Sequence, residues 1–238
     1  MNESSYVGSE LDVFAHAQNW KRYYGAALKP YLRGVVAEVG AGIGATSAAL
    51  CDGTQDLWIC LEPDAGLLAR ARREFALPSC CRFVSGTSSA LAPSGSADAI
   101  LYIDTLEHIE DDRGELLRVM QVLAPGGHLL IVAPAHPYLY NPFDAAIGHL
   151  RRYQKASLLA VVPDGFEVIR LCYLDSVGFF ASLANRLLLR EAHPSHAQIQ
   201  FWNRVLVPLS RVVDPLLGYR FGKSVLGIFR RACVSIGS

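Results

Sequence analysis

Apolar and polar positions fall into alternating blocks along the chain. Short, nearly continuous apolar runs occupy residues 35–39, 57–61, 81–84, 97–103, 128–133, 166–174 and 224–229. Unbroken apolar runs of this length are the pattern of parallel strands buried on both faces. Between the early runs lie stretches with helical spacing, at 44–51, 65–75 and 113–122. Strands alternating with helices imply a parallel sheet flanked by helices on both sides. Residues 10–32 read as one helix ahead of the first strand, with Leu11, Phe14, Ala15 and Gln18 on one side. Pro30 and Gly34 end it. The expected fold is a doubly wound α/β domain with a mostly parallel, seven-stranded sheet and an N-terminal helix, one domain over residues 1–238.

Two segments depart from the alternation. The connection 134–154 is long and rich in Pro, His, Tyr and Arg. The stretch from about 176 to 221, before the last strand, is apolar and basic. Arg186, Arg190, Arg204, Arg211 and Arg220 there face only Glu191 and Asp214. Pro208 and Pro215 are expected to interrupt any long helix. A helical cap over the substrate is the first expectation for this stretch. A dimer contact and a membrane surface are the alternatives, since Arg beside Leu, Val, Phe and Trp suits anionic lipid.

Composition narrows the class. Half the residues are hydrophobic and 18% are charged, as in a folded globular protein. The formal net charge is zero, so no nucleic-acid partner is expected. The six cysteines show no C-x-x-C pairing and no zinc spacing. They read as small hydrophobes in a reducing, cytoplasmic setting. The polar, acidic N-terminus has no signal-peptide pattern, and no run has the length of a spanning helix.

The chemistry begins at Val35-Val36-Ala37-Glu38-Val39-Gly40-Ala41-Gly42-Ile43-Gly44-Ala45. A glycine-rich turn after a strand lets backbone approach a ligand closely. Read as G-x-G-x-x-A it fits a dinucleotide fingerprint. Read as E-x-G-x-G-x-G it fits another nucleotide-like cofactor. Glu62 ends the second apolar run, where a carboxylate can accept two hydrogen bonds from a ribose diol. Glu38 bears on the choice. A buried carboxylate beneath a pyrophosphate is unfavourable, whereas it suits a cofactor with a cationic amino-acid end and no phosphate.

The E-V-G-A-G-I-G turn, the Glu62 strand end, the segment Asp104-Thr105-Leu106-Glu107-His108-Ile109-Glu110-Asp111-Asp112 and the turn Leu123-Ala124-Pro125-Gly126-Gly127 occur in one order. As a set they resemble the class I S-adenosylmethionine-dependent methyltransferases, over about residues 31–132. The resemblance implies a Rossmann-like methyltransferase fold and S-adenosylmethionine as cofactor. It implies that Gly40, Ala41 and Gly42 lie against the methionine and ribose, and that Glu38 helps organise the amino end. Glu62 would take the ribose hydroxyls, with Pro63 or Asp64 beside the adenine. Asp104, Thr105 and Leu106 would flank the methionine. Many members carry an acid after the third strand; here Thr87 or Ser88 stands in its place.

The implied reaction is methylation of an oxygen, nitrogen or carbon atom of a small biosynthetic metabolite. A sugar or lipid-linked saccharide is the second acceptor class. A cyclase or binding protein of the same fold and an NAD-dependent oxidoreductase are the rivals. An oxygen or carbon acceptor needs a base, and His136 and His149 are the first candidates, ahead of His108. Asp144, Arg152 and Tyr153 accompany His149 as substrate-binding candidates, with Tyr23 from the N-terminal helix as a pocket residue. No metal site is expected, because beyond His136 and Asp144 no acids and histidines cluster after the fifth strand. A monomer or homodimer is expected.

Overall fold

A computed structural model describes residues 10–92, 96–184, 186 and 195–233. Arg190 and Glu191 lie outside the described residues. Seven strands form one sheet: β1 Val35–Val39, β2 Leu57–Glu62, β3 Cys81–Ser85, β4 Ala97–Ile103, β5 Leu123–Pro134, β6 Phe166–Leu174 and β7 Ser224–Arg231. Their spatial order is β3-β2-β1-β4-β5-β7-β6. All neighbours pair parallel except β7, which runs antiparallel to both β5 and β6.

Side chains alternate between two cores. Val36, Trp58, Leu101, Leu130 and Ile228 pack on one face. Ala37, Val39, Leu61, Ile100, Leu129 and Phe229 pack on the other. Both faces are buried because helices cover both, which is why the strands read as continuous apolar runs. Glu38 falls on the Val36 face by the period of two.

The N-terminal region is two helices rather than one: α1 Glu10–Ala15 and α2 Gln18–Leu28. Lys21 makes the break tolerable. Its Nζ donates to the Phe14 carbonyl at 2.5 Å and the Ala15 carbonyl at 3.3 Å, at the end of α1. After the glycine turn come α3 Ala45–Leu50 and α4 Ala65–Glu74, the latter capped by Asp64, whose Oδ1 accepts from Gly66 and Leu67. Helix α5, Asp112–Val122, leads into β5. The Leu123–Gly127 turn belongs to that strand: Ala97 pairs with Leu123 and Ala99 with His128. The extra residues bulge out of the ladder. Two short helices follow, α6 Pro142–Ala146 and α7 Lys155–Val161.

The cap contains α8 Ser176–Ala184, α9 His196–Phe201 and α10 Val207–Leu216. Pro208 does not interrupt it. A π-helical turn over Trp202–Leu206 joins α9 to α10, and Val207 N–H bonds to the Trp202 carbonyl five residues back. The wider turn lies just before a residue that has no N–H to give. Pro215 stands at the end of α10, where the helix is already closing. Asn203 ties the cap to α2, its Oδ1 accepting from the backbone N–H groups of Asn19 and Trp20 at 3.1 Å. Asp214 is not a partner for the cap's arginines. It is fully buried and accepts from Asp175 N, Ser176 N and the Tyr23 hydroxyl.

Candidate active site

The glycine turn lies at the carboxyl end of β1, the edge where open α/β sheets bind ligands. Gly40, Gly42 and Gly44 all adopt left-handed φ, at 72°, 53° and 80°. A side chain is strained at such angles. The turn is braced on its outer side by Glu62, whose oxygens accept from Gly42 N at 2.8 Å and Asp64 N at 3.0 Å. Ala41 N donates to the Leu61 carbonyl at 2.9 Å.

Beneath the turn, Glu38 is buried and accepts from the Ser47 hydroxyl and, at 3.3 Å, from Trp58 Nε1. Burial pushes its carboxyl up to about 7, against these bonds and the attraction of Lys21. Desolvation lowers Lys21 to about 8, against the pull of Asp104 and Glu38.

One cavity of about 1040 Å³ runs along this edge. Its floor at one end is Gly40, Ala41, Gly42 and Asp104. Its roof is Phe14 and Trp20 from the N-terminal helices with Ile199, Trp202 and Leu206 from the cap. Its far end is polar, with His108, Asp144, His149 and Arg152. Lys21 and Lys223 complete the wall. Asp104 reaches this space from a strained position, φ 49°. Although Asp104 is exposed to the cavity, the protein packed around it desolvates its carboxyl and raises it, held back by the positive fields of His149, Lys21 and Lys223.

The polar end is built around Asp144, which is fully buried. Arg152 grips it with two bonds, Nε to Oδ1 at 2.9 Å and Nη2 to Oδ2 at 2.8 Å. His149 Nδ1 bonds to Oδ1 at 2.8 Å. Burial alone would raise the Asp144 carboxyl; the bonds from His149 and Arg152 outweigh it and hold the group below its usual range. His108 sits edge-on to His149 with ring centroids 4.8 Å apart, and its Nδ1 is 3.1 Å from the Gly148 carbonyl.

Several expected residues lie elsewhere. Tyr23 is turned away from the cavity, its hydroxyl 2.5 Å from Asp214; its neighbour Tyr24 lines the cavity instead. His136 does not face the cavity. Its Nε2 is 3.1 Å from the Gly222 carbonyl, and its ring packs on Tyr138, Tyr173 and Phe179. Tyr153 is buried with its hydroxyl on Asp112 at 2.7 Å. Leu106 is a core residue, and Thr105 packs against Gly40. Glu38, Glu62, Pro63 and Thr87 are also outside the cavity lining; Thr87 pairs with Ser89 at the surface. The expected absence of an acid–histidine cluster concerned the segment after β5; the three residues that converge draw two of their number, Glu107 and His108, from just past the end of β4. Glu107, His108 and His149 each place a ligand-type atom within 4.8 Å of the others. Cys51, Cys80 and Cys81 also converge, which their spacing did not reveal, and burial raises the thiols of Cys51 and Cys81.

Lys223 was not anticipated. It precedes β7, and β7 alone runs antiparallel, so the start of β7 meets the edge where the parallel strands end.

An open sheet with a glycine turn, a strand-end carboxylate and a cavity at its carboxyl edge defines a Rossmann-like, nucleotide-cofactor-binding domain. Residues 37–131 match the family described as Methyltransferase domain. A Mycobacterium tuberculosis protein described as an uncharacterized methyltransferase is 31% identical over 115 residues, 48% of this chain. The match spans 58% of that relative's length. The structure of an S-adenosylmethionine-dependent methyltransferase from Mesorhizobium loti superposes with a TM-score of 0.62 at 18% identity, covering 91% of this chain and 99% of that one. The [4+2]-cyclase SpnF superposes with a TM-score of 0.61 at 16% identity, over 90% of this chain and 81% of its own. The chain shares the fold of the S-adenosylmethionine-dependent methyltransferase structure, and its family match covers residues 37–131.

Proposed function

We propose that the protein transfers the methyl group of S-adenosylmethionine to a small-molecule acceptor, a biosynthetic metabolite by first preference. The observation that carries this is the single cavity joining the glycine turn to the polar end around His149. Its volume is large enough for a cofactor and an acceptor side by side. The residues present suit this cofactor. Lys21 can pair with the methionine carboxylate and Asp104 with its ammonium group. The aromatic roof of Trp20 and Trp202 can face a sulfonium. Glu62 lies behind the turn, outside the cavity lining; each of its oxygens accepts one backbone N–H and keeps a lone pair that a ribose diol reaching past Gly42 would use.

Bound there, S-adenosylmethionine supplies an activated methyl group. Transfer would leave the S–CH3 electron pair on sulfur while a lone pair of the acceptor forms the new bond to carbon. An acceptor hydroxyl at the polar end would pass its proton to the free ring nitrogen of His149. The protein's contribution is to align the two ligands and exclude water.

Calorimetric titration with S-adenosylhomocysteine is the test, run beside Glu62→Ala and beside NAD. Micromolar binding to the wild type, weakened about tenfold or more in the variant, supports the reading. Binding of NAD instead returns the dinucleotide reading. Product formation without S-adenosylhomocysteine accumulation favours the cyclase-like rival.

We further propose that the outer face of the cap rests on an anionic membrane surface. Phe201, Val205, Leu209, Val212 and Leu216 recur three or four residues apart along α9–α10 and are all exposed, Leu216 at 81%. Arg204 and Arg211 are exposed beside this stripe, and the helix's one acid, Asp214, is buried. Among the described residues no helix is long and apolar enough to cross a membrane. Such a surface would bring a hydrophobic or lipid-linked acceptor to the cavity that the same helix roofs. Cosedimentation with phosphatidylserine-containing vesicles at low salt is expected for the wild type and not for Leu209→Glu/Val212→Glu. Equal recovery of both proteins would remove the idea.

A further inference from the structure

Glu107 has no exposed surface, and neither carboxylate oxygen has a hydrogen-bond partner. A buried, unpartnered carboxylate is costly and calls for a compensating group. His149 Nε2 lies 3.5 Å from Oε1, too far for a hydrogen bond.

The two histidines beside it are already oriented. The Nδ1 of His149 is engaged by the Asp144 carboxylate, and the Nδ1 of His108 by the Gly148 carbonyl. Each therefore donates from Nδ1, which leaves Nε2 as the ring nitrogen for a further ligand. A carboxylate or carbonyl on the far ring nitrogen is the support that metal-ligating imidazoles receive. Asp144 is in turn locked by Arg152, so the orientation of His149 is fixed through two layers.

We propose that Glu107, His108 and His149 bind a divalent first-row transition metal ion at the acceptor end of the cavity. Ligands of a tetrahedral site with bonds of about 2.0–2.1 Å stand about 3.3 Å apart. His149 Nε2 and Glu107 Oε1 are 3.5 Å apart, and a ring nitrogen of each histidine and a Glu107 oxygen lie within 4.8 Å of one another, so a small turn of the His108 ring completes the set. Two imidazoles and one carboxylate select zinc, cobalt, iron or manganese over magnesium and calcium, which favour all-oxygen sites. Because His108 and His149 line the cavity, the remaining coordination positions open towards the acceptor. Resting on the methyltransferase reading, the ion's role is to take an acceptor hydroxyl as a ligand and lower its pKa. The released proton then leaves to solvent in the cavity rather than to His149, whose Nε2 is on the metal. The thiols of Cys51, Cys80 and Cys81, of which only Cys51 is buried, are a weaker candidate: no orphaned polar group accompanies them.

Cobalt(II) is the probe. The full-length protein is stripped with a chelator and titrated, with visible absorption and calorimetry as readouts. One saturable equivalent is expected, weakened about a hundredfold or more in both Glu107→Gln and His108→Ala, and unchanged in Cys51→Ser. Glu107→Gln removes a buried charge at constant size, and thermal melts of both variants confirm folding. Absence of saturable binding, binding unmoved by either variant, or binding lost only in Cys51→Ser each overturns the site. Titration of the same metal-free protein with S-adenosylhomocysteine reads the cofactor assignment separately. Intact nucleoside binding without cobalt binding therefore overturns the metal site alone.

Discussion

Gly40→Ala lowers the affinity for S-adenosylhomocysteine about a hundredfold while the protein stays folded. Two costs meet at this residue. Its φ of 72° is left-handed, which disfavours an L side chain by about 1–2 kcal/mol. A Cβ at Gly40 would also lie 2.4 Å from Thr105 Cγ2 and 2.6 Å from Thr105 Oγ1. Overpacking of this kind costs about 1–3 kcal/mol. Relief requires the glycine turn or the Asp104-Thr105 segment to move, and both form the cavity floor. Calorimetric titration checks the affinity, and denaturant unfolding checks the fold. Adding Thr105→Ala removes the two closest atoms and leaves the third, Cβ, at 3.1 Å. The double variant therefore regains part of the affinity. Wild-type affinity in Gly40→Ala would show that this turn does not carry the cofactor.

Asp214→Ala destabilises the protein by about 3–5 kcal/mol, because it leaves several buried donors without an acceptor. Oδ2 accepts from Tyr23 at 2.5 Å and from Asp175 N at 2.8 Å; Oδ1 accepts from Ser176 N at 2.9 Å. These bonds join α2, the start of α8 and α10. Asp175 extends the junction, accepting from Trp202 Nε1 at 2.6 Å and the Ser210 hydroxyl at 2.7 Å. The cap is thus attached through two buried carboxylates rather than through surface ion pairs. Tyr23→Phe removes one of the bonds and costs about 1–2 kcal/mol. Urea unfolding measures both. A loss under about 1 kcal/mol for Asp214→Ala would mean that water or repacking replaces these bonds.

The same residues show where sequence reading stops. Tyr23 and Tyr24 are adjacent on α2, and which one faces the cavity depends on the rotation of the helix against the sheet. Tyr24 lines the cavity, and Tyr23 points to Asp214. An apolar pattern around both gives no phase, because α2 is packed on more than one side. His136 stands between two prolines just after β5, which made it a candidate base; its backbone, φ 64°, carries the ring into an aromatic nest away from the cavity. His149 and Glu107 are distant in sequence and meet only because the segment after β5 folds back over the end of β4, with Leu150 N bonded to the Glu107 carbonyl at 2.9 Å.

The sequence by itself determined the sheet and its cofactor edge. Strands β1, β4 and β6 begin and end where the apolar runs do, and the glycine turn, Glu62 and the Asp104 segment are local signals. Such signals are legible because strand burial and left-handed turns constrain residue type at the position itself. The tertiary structure decided the rest. It carried α9 into α10 through a π turn ahead of Pro208, delivered Lys223 to the cavity by reversing β7, and gathered Glu107, His108 and His149 into one cluster. The physical reason is that these are contacts between segments far apart in the chain. Their geometry is set by how helices pack on the sheet, which leaves no periodic mark on either segment.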